Sequence, residues 1–546
     1  KIVIRSKIAN CFAKILGENS EADVFVPENE VFGHYSTSIA LKVAKLKRQN
    51  PLTLAENFKS QIEKFDSGLF EKIEIVPPGF INFWLKSEVF RKELEVILKK
   101  GEKYGRTDNL RGQKTIVEYT DPNPFKEFHI GHLMSNAIGE SIARLLEWNG
   151  AEVKRACYQG DVGMHVAKAV WGMMSSQNHD KKPDDSQTLL EKIKYMAGAY
   201  ALGALVYATD GKMGVEGEGQ KKQEIMDVNK KIYDRSDSEI NKFYDWGRKA
   251  SLEYFETIYK KLGTKFDFYF FESEAGEYGK KIVANGLKNG IFETSDGAII
   301  FRGEKYGLHT RVFINSENLP TYEAKELGLA DTKRKKYDYD KSIVITGNEV
   351  NDYFRVVFEA MKLIFPKLAE KTLHLSHGML RLPSGKMSSR TGEVITAEFL
   401  IEEIEKLVGE KINGSARLTT SDSARLTTSG SAKPTMNPEE IQRIQEIVAI
   451  GAIKYSILRQ AIGGDIIFDF EKSISFDGDS GPYLQYAYAR AQSVLRKAKE
   501  EGIKGSTLSR GKIEPLELER ILYRFPEVTE RARKEYEPHH VVTYLT

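Results

Sequence analysis

A short β-branched run, Lys114-Thr115-Ile116-Val117-Glu118-Tyr119-Thr120, passes through a proline-bearing loop into a stretch with apolar residues at helical spacing. Leu133, Ala137, Ile142, Leu145 and Leu146 mark that stretch and predict a helix from Leu133 to Trp148. A strand, a loop and an amphipathic helix in that order form a βα unit, which commits the chain to a parallel sheet with helices on its faces. EVKRACY and KSIVITG (341–347) repeat the strand texture downstream. A long charged helical stretch, about 166–262, reads as an insertion into this sheet domain. The junction also fixes where chemistry can sit. A helix N-terminus at the carboxyl edge of a parallel sheet offers N–H groups and a favourable dipole to phosphate.

That junction carries Phe128-His129-Ile130-Gly131-His132. Two histidines three apart share one face of a first helical turn and can donate to a phosphate, while Gly131 admits a ligand close to the backbone. Taken alone, the four residues read equally well as two solvent-facing histidines at a helix start. Far downstream comes Pro383-Ser384-Gly385-Lys386-Met387-Ser388-Ser389-Arg390-Thr391-Gly392. Such a polar loop can close over a polyphosphate, with Lys386 meeting the charge that develops on transfer. An exposed basic turn is the plainer reading of that loop by itself. No G-x-x-x-x-G-K-[ST] occurs, which excludes a P-loop.

Around this core the texture changes. Residues 1 to about 108 read as an α+β module: an amphipathic start (Ile4, Ile8, Phe12, Ile15, Leu16), helices over Ser36 to Lys47 and Leu54 to Lys64, and a strand pair in KIEIVPPGFINFWL. A helix over Ser87 to Lys100 closes the module. At 412–437 SARLTTS occurs twice among Ser, Thr, Gly and Asp, which predicts a flexible surface insertion. From 441 onward, helical patterns predict a bundle, with helices over Ile441 to Leu458, Gly481 to Lys499, and from about Glu514. The chain ends at VVTYLT without a capping signal, so this last domain is expected to be cut short.

The 546 residues carry a formal charge of only +3, so a nucleic-acid partner must meet local patches rather than a uniformly basic surface. Two cysteines, Cys11 and Cys157, exclude a disulfide framework and a cysteine-rich zinc module, and suit a reducing compartment. No apolar run is long enough for a membrane helix.

Taken together, the histidine motif and Lys386-Met387-Ser388-Ser389-Arg390, with βα texture between, resemble a class I aminoacyl-tRNA synthetase. The surroundings narrow the likeness. VEYTDPNPFKEFHIGHLMSNAIGESIARLLEWNGAEVKRACYQGDVGMH resembles the first active-site block of the arginyl-tRNA synthetases, and HGMLRLPSGKMSSRTGEVIT and FDGDSGPYLQYAYARAQSVLRKA continue the likeness. FGHYSTSIALKVAK and PPGFINFWL are similar to that family's N-terminal extra domain, which contacts the tRNA elbow. The resemblance implies four regions: 1–108, a tRNA-contacting domain; 109–397, a Rossmann-like catalytic domain; 398–440, a linker holding the low-complexity insertion; and 441–546, an anticodon-binding helical bundle.

It also implies roles. His129, His132 and Lys386 form the adenylate, with Gly131, Met387, Ser388 and Ser389 completing the ATP site. Glu118 and Asn123 hold the amino acid, Tyr322 and Glu326 read the guanidinium, and Gln159 and Asp161 line the pocket. Tyr322 and Glu326 stand four apart, on one helix face, and a carboxylate with an aromatic ring suits a planar cation that never loses its charge. Tyr483, Tyr486, Arg490 and Arg496 interleave rings and cations, as RNA recognition requires.

The family usually has Asp where Glu326 stands, and an Ala-Asp-His-like run where Asn348-Glu349-Val350 follows the later strand. The implied activity is ATP-dependent joining of L-arginine to tRNA(Arg) through an arginyl-adenylate, Mg²⁺ leaving with pyrophosphate. The family tends to bind its tRNA before activating arginine. A cytoplasmic monomer is expected, with no metal site built from the chain itself. Three rivals remain from sequence: a synthetase for another amino acid, a nucleotidyltransferase with the same histidine chemistry, and a synthetase-like tRNA-binding protein without catalysis.

Overall fold

The computed structural model describes residues 4–16, 23–65, 68–175, 178, 182–184, 186–209, 219–383, 395–422, 437–505 and 516–546. Two compact units emerge: one comprises Lys1–Asp108 with Val494–Glu535, the other Asn109–Ser493 with Tyr536–Thr546.

The first unit is built on a four-stranded antiparallel sheet in the order Val24–Phe25, Tyr35–Thr37, Phe80–Leu85, Phe70–Val76. Its helices are Ile4–Leu16, Ile39–Lys47, Pro51–Phe65 and Ser87–Lys100. The helix expected from Ser36 starts three residues later, because Tyr35–Thr37 pairs as a strand with Phe80–Leu85. Ile8, Phe12, Phe58 and Phe83 form its core. Tyr523 belongs to the same core, edge-on to Phe90 at 5.0 Å and to Tyr35 at 6.3 Å. The region read as one C-terminal bundle, 441–546, is therefore divided between the two units. The helix expected from about Glu514 spans Glu517–Leu522.

The second unit holds a five-stranded parallel sheet in the order Thr372–His377, Lys341–Gly347, Lys114–Glu118, Glu152–Gln159, Phe268–Phe271. Numbered along the chain this is 5-4-1-2-3, so the order reverses between the first and fourth strands. Such a switch point leaves a crevice at the carboxyl ends, where open α/β sheets bind ligands. Both faces are covered, as a parallel sheet requires. Val117 and Cys157 face a core shared with helix Ile130–Trp148, while Ile116 and Ala156 face helices Glu272–Lys288, Tyr322–Lys336 and Asn351–Ile364.

The insertion comprises helices Met164–Met174, Leu189–Thr209, Gln220–Asp234 and Ser238–Leu262. Val166, Met196, Ile225 and Phe255 join the core under Phe128, so these helices wall the parallel sheet rather than standing apart. Helix Ala397–Asp422 corrects the expectation of a flexible insertion from 412: the first SARLTTS continues it. Ala, Arg and Leu are good helix formers, and extending an existing helix carries no nucleation cost. The second copy, 423–429, lies outside the described residues.

Candidate active site

The first strand ends at Glu118, and the loop beyond it is held in unusual conformations. Thr120, Asp121 and Phe125 all have positive φ, at 82°, 45° and 68°. Hydrogen bonds hold them there: Thr120 N–H donates to Ser135 Oγ at 2.9 Å, Tyr158 N–H to Asp121 Oδ1 at 2.7 Å, and Phe125 N–H to Ser251 Oγ at 2.9 Å. Strain of this kind persists only where surroundings over-determine it, and it concentrates at functional sites.

The loop delivers His129 as the N-cap of helix Ile130–Trp148 rather than as a residue of its first turn. His129 Nδ1 accepts the Gly131 N–H at 3.1 Å, and His132 Nδ1 accepts the His129 N–H at 3.3 Å. The rings stack, centroids 3.5 Å apart. With each Nδ1 accepting, the proton of each neutral ring sits on Nε2. Burial pushes His129 down to about 4, with Lys126 adding to the effect. Burial, then His129 and Lys126, holds His132 well below the usual histidine range. Both rings are therefore neutral donors at physiological pH. A Cβ on Gly131 would lie 2.9 Å from the His129 ring, so the glycine makes room for the ring as well as for a ligand.

Lys386, Met387, Ser388 and Ser389 lie outside the described residues, but the flank of their loop does not. His129 and Thr396 form an antiparallel bridge, Ile130 N–H donates to the Ile395 carbonyl at 3.1 Å, and Ala397 N–H to that of Phe128 at 2.7 Å. The residues that follow the Lys386 loop are thus tied to the histidine motif itself.

On the opposite side of the switch point, helix Tyr322–Lys336 buries charge. Glu118, at the end of the first strand, lies 2.9 Å from Lys333 Nζ, with both side chains 2% exposed or less. Lys325 Nζ donates to Glu272 Oε2 at 2.6 Å, also buried. Glu326 is buried beside them, and its carboxyl is pushed up to about 8, by burial first and then by Glu118. Tyr322 begins the helix with an exposed ring; Tyr353 O–H donates to its carbonyl at 3.0 Å, and Lys325 Nζ lies 5.1 Å from the ring centre.

Asn123 Oδ1 lies against Gly160, where a Cβ would come within 2.2 Å of it and 3.4 Å of Glu272 Oε1. Gln159 is buried, its Oε1 without a hydrogen bond among the described residues. Asp161 is fully buried and taken by donors of the chain itself: Ser273 N–H at 2.9 Å, Ser273 O–H at 2.8 Å, Arg248 Nε at 2.9 Å and Tyr244 O–H at 3.3 Å.

The structure thus brings Glu118, Asn123, Gln159, Glu326 and the histidines to one sheet edge. Sequence reading missed Lys325, Lys333, Glu272 and Asp121 there. Lys333 stands seven residues after Glu326, hence on the same helix face, which was the available signal. Tyr483, Tyr486, Arg490 and Arg496 sit elsewhere, on helix Gly481–Glu500. Tyr486 is exposed and accepts a hydrogen bond from Arg490 Nη1 at 2.9 Å.

A family model for the catalytic domain of class I tRNA synthetases (R) matches residues 93–470. The chain belongs to the class I arginyl-tRNA synthetases. The N-terminal domain model of arginyl-tRNA synthetases matches residues 2–85, and a DALR anticodon binding domain model matches 484–546. Arginine–tRNA ligase of Treponema denticola is 28% identical over 97% of this chain and 87% of its own. That of Lactobacillus delbrueckii subsp. bulgaricus is 29% identical over 98% and 89%. In fold, the chain resembles Thermus thermophilus arginyl-tRNA synthetase, with a TM-score of 0.75 at 22% identity, covering 99% of this chain and 89% of that one. The Plasmodium falciparum arginyl-tRNA synthetase gives 0.73 at 20% identity over the same shares. No helix among the described residues is long and apolar enough to cross a membrane.

Proposed function

We propose that this synthetase joins L-arginine to tRNA(Arg) through an arginyl-adenylate, as a cytoplasmic monomer serving translation. The observation that carries the reading is the pairing of Phe128–Ile130 with Ile395–Ala397, which sets the flank of the Lys386 loop beside two neutral histidine donors. ATP lies across the carboxyl edge of the sheet. His129 and His132 donate their Nε2 protons to phosphate oxygens, Gly131 admits the phosphates, and Lys386 closes over them with Met387, Ser388 and Ser389. An oxygen of the arginine carboxylate attacks the α-phosphorus in line, the bond to the β-phosphate oxygen breaks, and pyrophosphate leaves. The donors and Lys386 act on charge that grows only toward the transition state, which is how they raise the rate.

Among the described residues no group of three acidic, histidine or cysteine side chains could hold a metal. In this reading Mg²⁺, where bound, would accompany the ATP phosphates and help neutralise the charge that leaves with pyrophosphate. The 2′-hydroxyl of the terminal adenosine then attacks the adenylate carbonyl carbon, and AMP leaves.

In the same reading Glu118 and Asn123 hold the α-amino end, while Tyr322 and Glu326 read the guanidinium. Gln159 lines the pocket, and Asp161 fixes its wall through Ser273 and Arg248. Tyr483, Tyr486, Arg490 and Arg496 meet the tRNA. A pocket built to pair a buried cation rejects neutral isosteres, because its own carboxylate would stay unpaired. The test is charging of tRNA(Arg) with arginine against citrulline, which has the same shape without the charge. Arginine alone should be esterified. Equal charging of citrulline, or none of either, contradicts the reading.

A further inference from the structure

The interior beside the switch point holds more charge than an arginine pocket needs. Glu118 closes the first strand, Asp121 follows in the loop, Glu272 opens helix Glu272–Lys288, and Glu326 sits on helix Tyr322–Lys336. Among the described residues two cations lie with them, Lys325 and Lys333, both buried. Lys325 pairs with Glu272 at 2.6 Å, and Lys333 with Glu118 at 2.9 Å. No hydrogen bond or ion pair reaches the Glu326 carboxylate from the described residues. Asp121 accepts a single backbone N–H, from Tyr158. Like carboxylates this close cannot all stay ionised without compensation.

We propose that Lys333 is a positioning residue for arginine binding: its buried ammonium pairs with Glu118 and holds that carboxylate, and helix Tyr322–Lys336 with Glu326, in place around the substrate. The inference rests on the arginine reading above. Burial alone would push the Lys333 ammonium down, but Glu118 and then Glu326 outweigh it and hold it above the ordinary lysine range. Glu118 raises both Glu326 and Asp121, and Lys333 opposes it at each. The remaining neighbours cannot take over that task. Lys325 is committed to Glu272, and the Tyr158 and Tyr353 hydroxyls add no positive charge. Removing one partner of a buried pair leaves the other uncompensated, which is far worse than never having had the pair.

The experiment is steady-state charging of tRNA(Arg) by the full chain and by Lys333→Met and Lys333→Arg, with KM taken separately for arginine and ATP. Lys333→Met should raise the arginine KM by about 10²-fold, with the ATP KM within about twofold. The rise should shrink at alkaline pH, where Asp121 and Glu326 ionise without help from Lys333. Lys333→Arg, which keeps the charge, should recover arginine KM to within about tenfold of the unmodified chain. Where Lys333→Met is insoluble, Glu118→Gln is compared with Glu118→Gln combined with Lys333→Met, which removes both charges and leaves no orphan: the two should share one arginine KM, and a further rise on removing Lys333 shows that it does not act through Glu118 and overturns the proposal. An arginine KM unchanged in a folded variant, or a fall in kcat alone, overturns the proposal and leaves Lys333 a structural residue. Failure of the unmodified chain to use arginine would instead overturn the arginine reading itself.

Discussion

His132 Nδ1 accepts the backbone N–H of His129 at 3.3 Å, and in doing so it fixes the proton of its own ring on Nε2. The contact serves the fold and the chemistry together, since it caps the helix and aims an N–H donor. His132→Ala should therefore lower kcat by about 10²–10³-fold through the lost donor. It should cost only about 1 kcal/mol of stability through the lost cap. Single-turnover rates and thermal unfolding of the same sample separate the two.

The pH dependence follows from which group titrates. His129, held at about 4, is neutral throughout the working range and gives no limb there. Glu326, raised to about 8, is neutral below that value and a carboxylate above it, while the arginine guanidinium stays charged. kcat/KM for arginine should climb with pH, reach half its height near 8 and level off above it, and Glu326→Gln should remove the limb. A flat profile, or one falling over that range, contradicts the assignment.

Helices Glu272–Lys288 and Tyr322–Lys336 touch backbone to backbone. A Cβ on Gly279 would lie 2.0 Å from the Ala324 carbonyl oxygen, and one on Gly328 would lie 2.0 Å from that of Ala275. Neither carbonyl can yield as a flexible side chain would. Gly279→Ala should destabilise the chain by about 1–3 kcal/mol, as overpacking does. It should also raise the arginine KM, because the helix it displaces carries Tyr322 and Glu326. Denaturant midpoints and arginine titrations report the two effects.

Within the first unit, Tyr35 O–H donates to Glu527 Oε1 at 2.5 Å, and Arg5 N–H reaches the same oxygen at 3.2 Å. Tyr35→Phe removes the shorter bond and leaves a buried carboxyl half-satisfied. A loss of about 1–3 kcal/mol is expected in chemical denaturation, with arginine activation unchanged.

The catalytic sheet was legible because its signals are local. Lys114–Glu118 and Ile130–Trp148 show their periods within a few residues, and the histidine motif lies at their junction. What placed the motif in space was not local: the Phe128–Ile130 pairing with Ile395–Ala397 joins segments far apart in sequence. Lys333 was hidden for a different reason. It opens a Lys-Arg-Lys-Lys run that reads as a solvated helix end, yet the helix turns this one lysine inward to Glu118. The first SARLTTS copy misled through composition, because a helix already under way carries polar residues that could not start one. Tyr523 joined the first unit through ring contacts that no sequence period announces.

The most direct test of the account is ATP–pyrophosphate exchange against the full panel of amino acids, each with and without tRNA(Arg). The account predicts exchange with arginine and with no other amino acid, dependent on tRNA. Exchange driven by another amino acid would contradict it at Tyr322 and Glu326, and exchange with none would contradict catalysis at His129, His132 and Lys386.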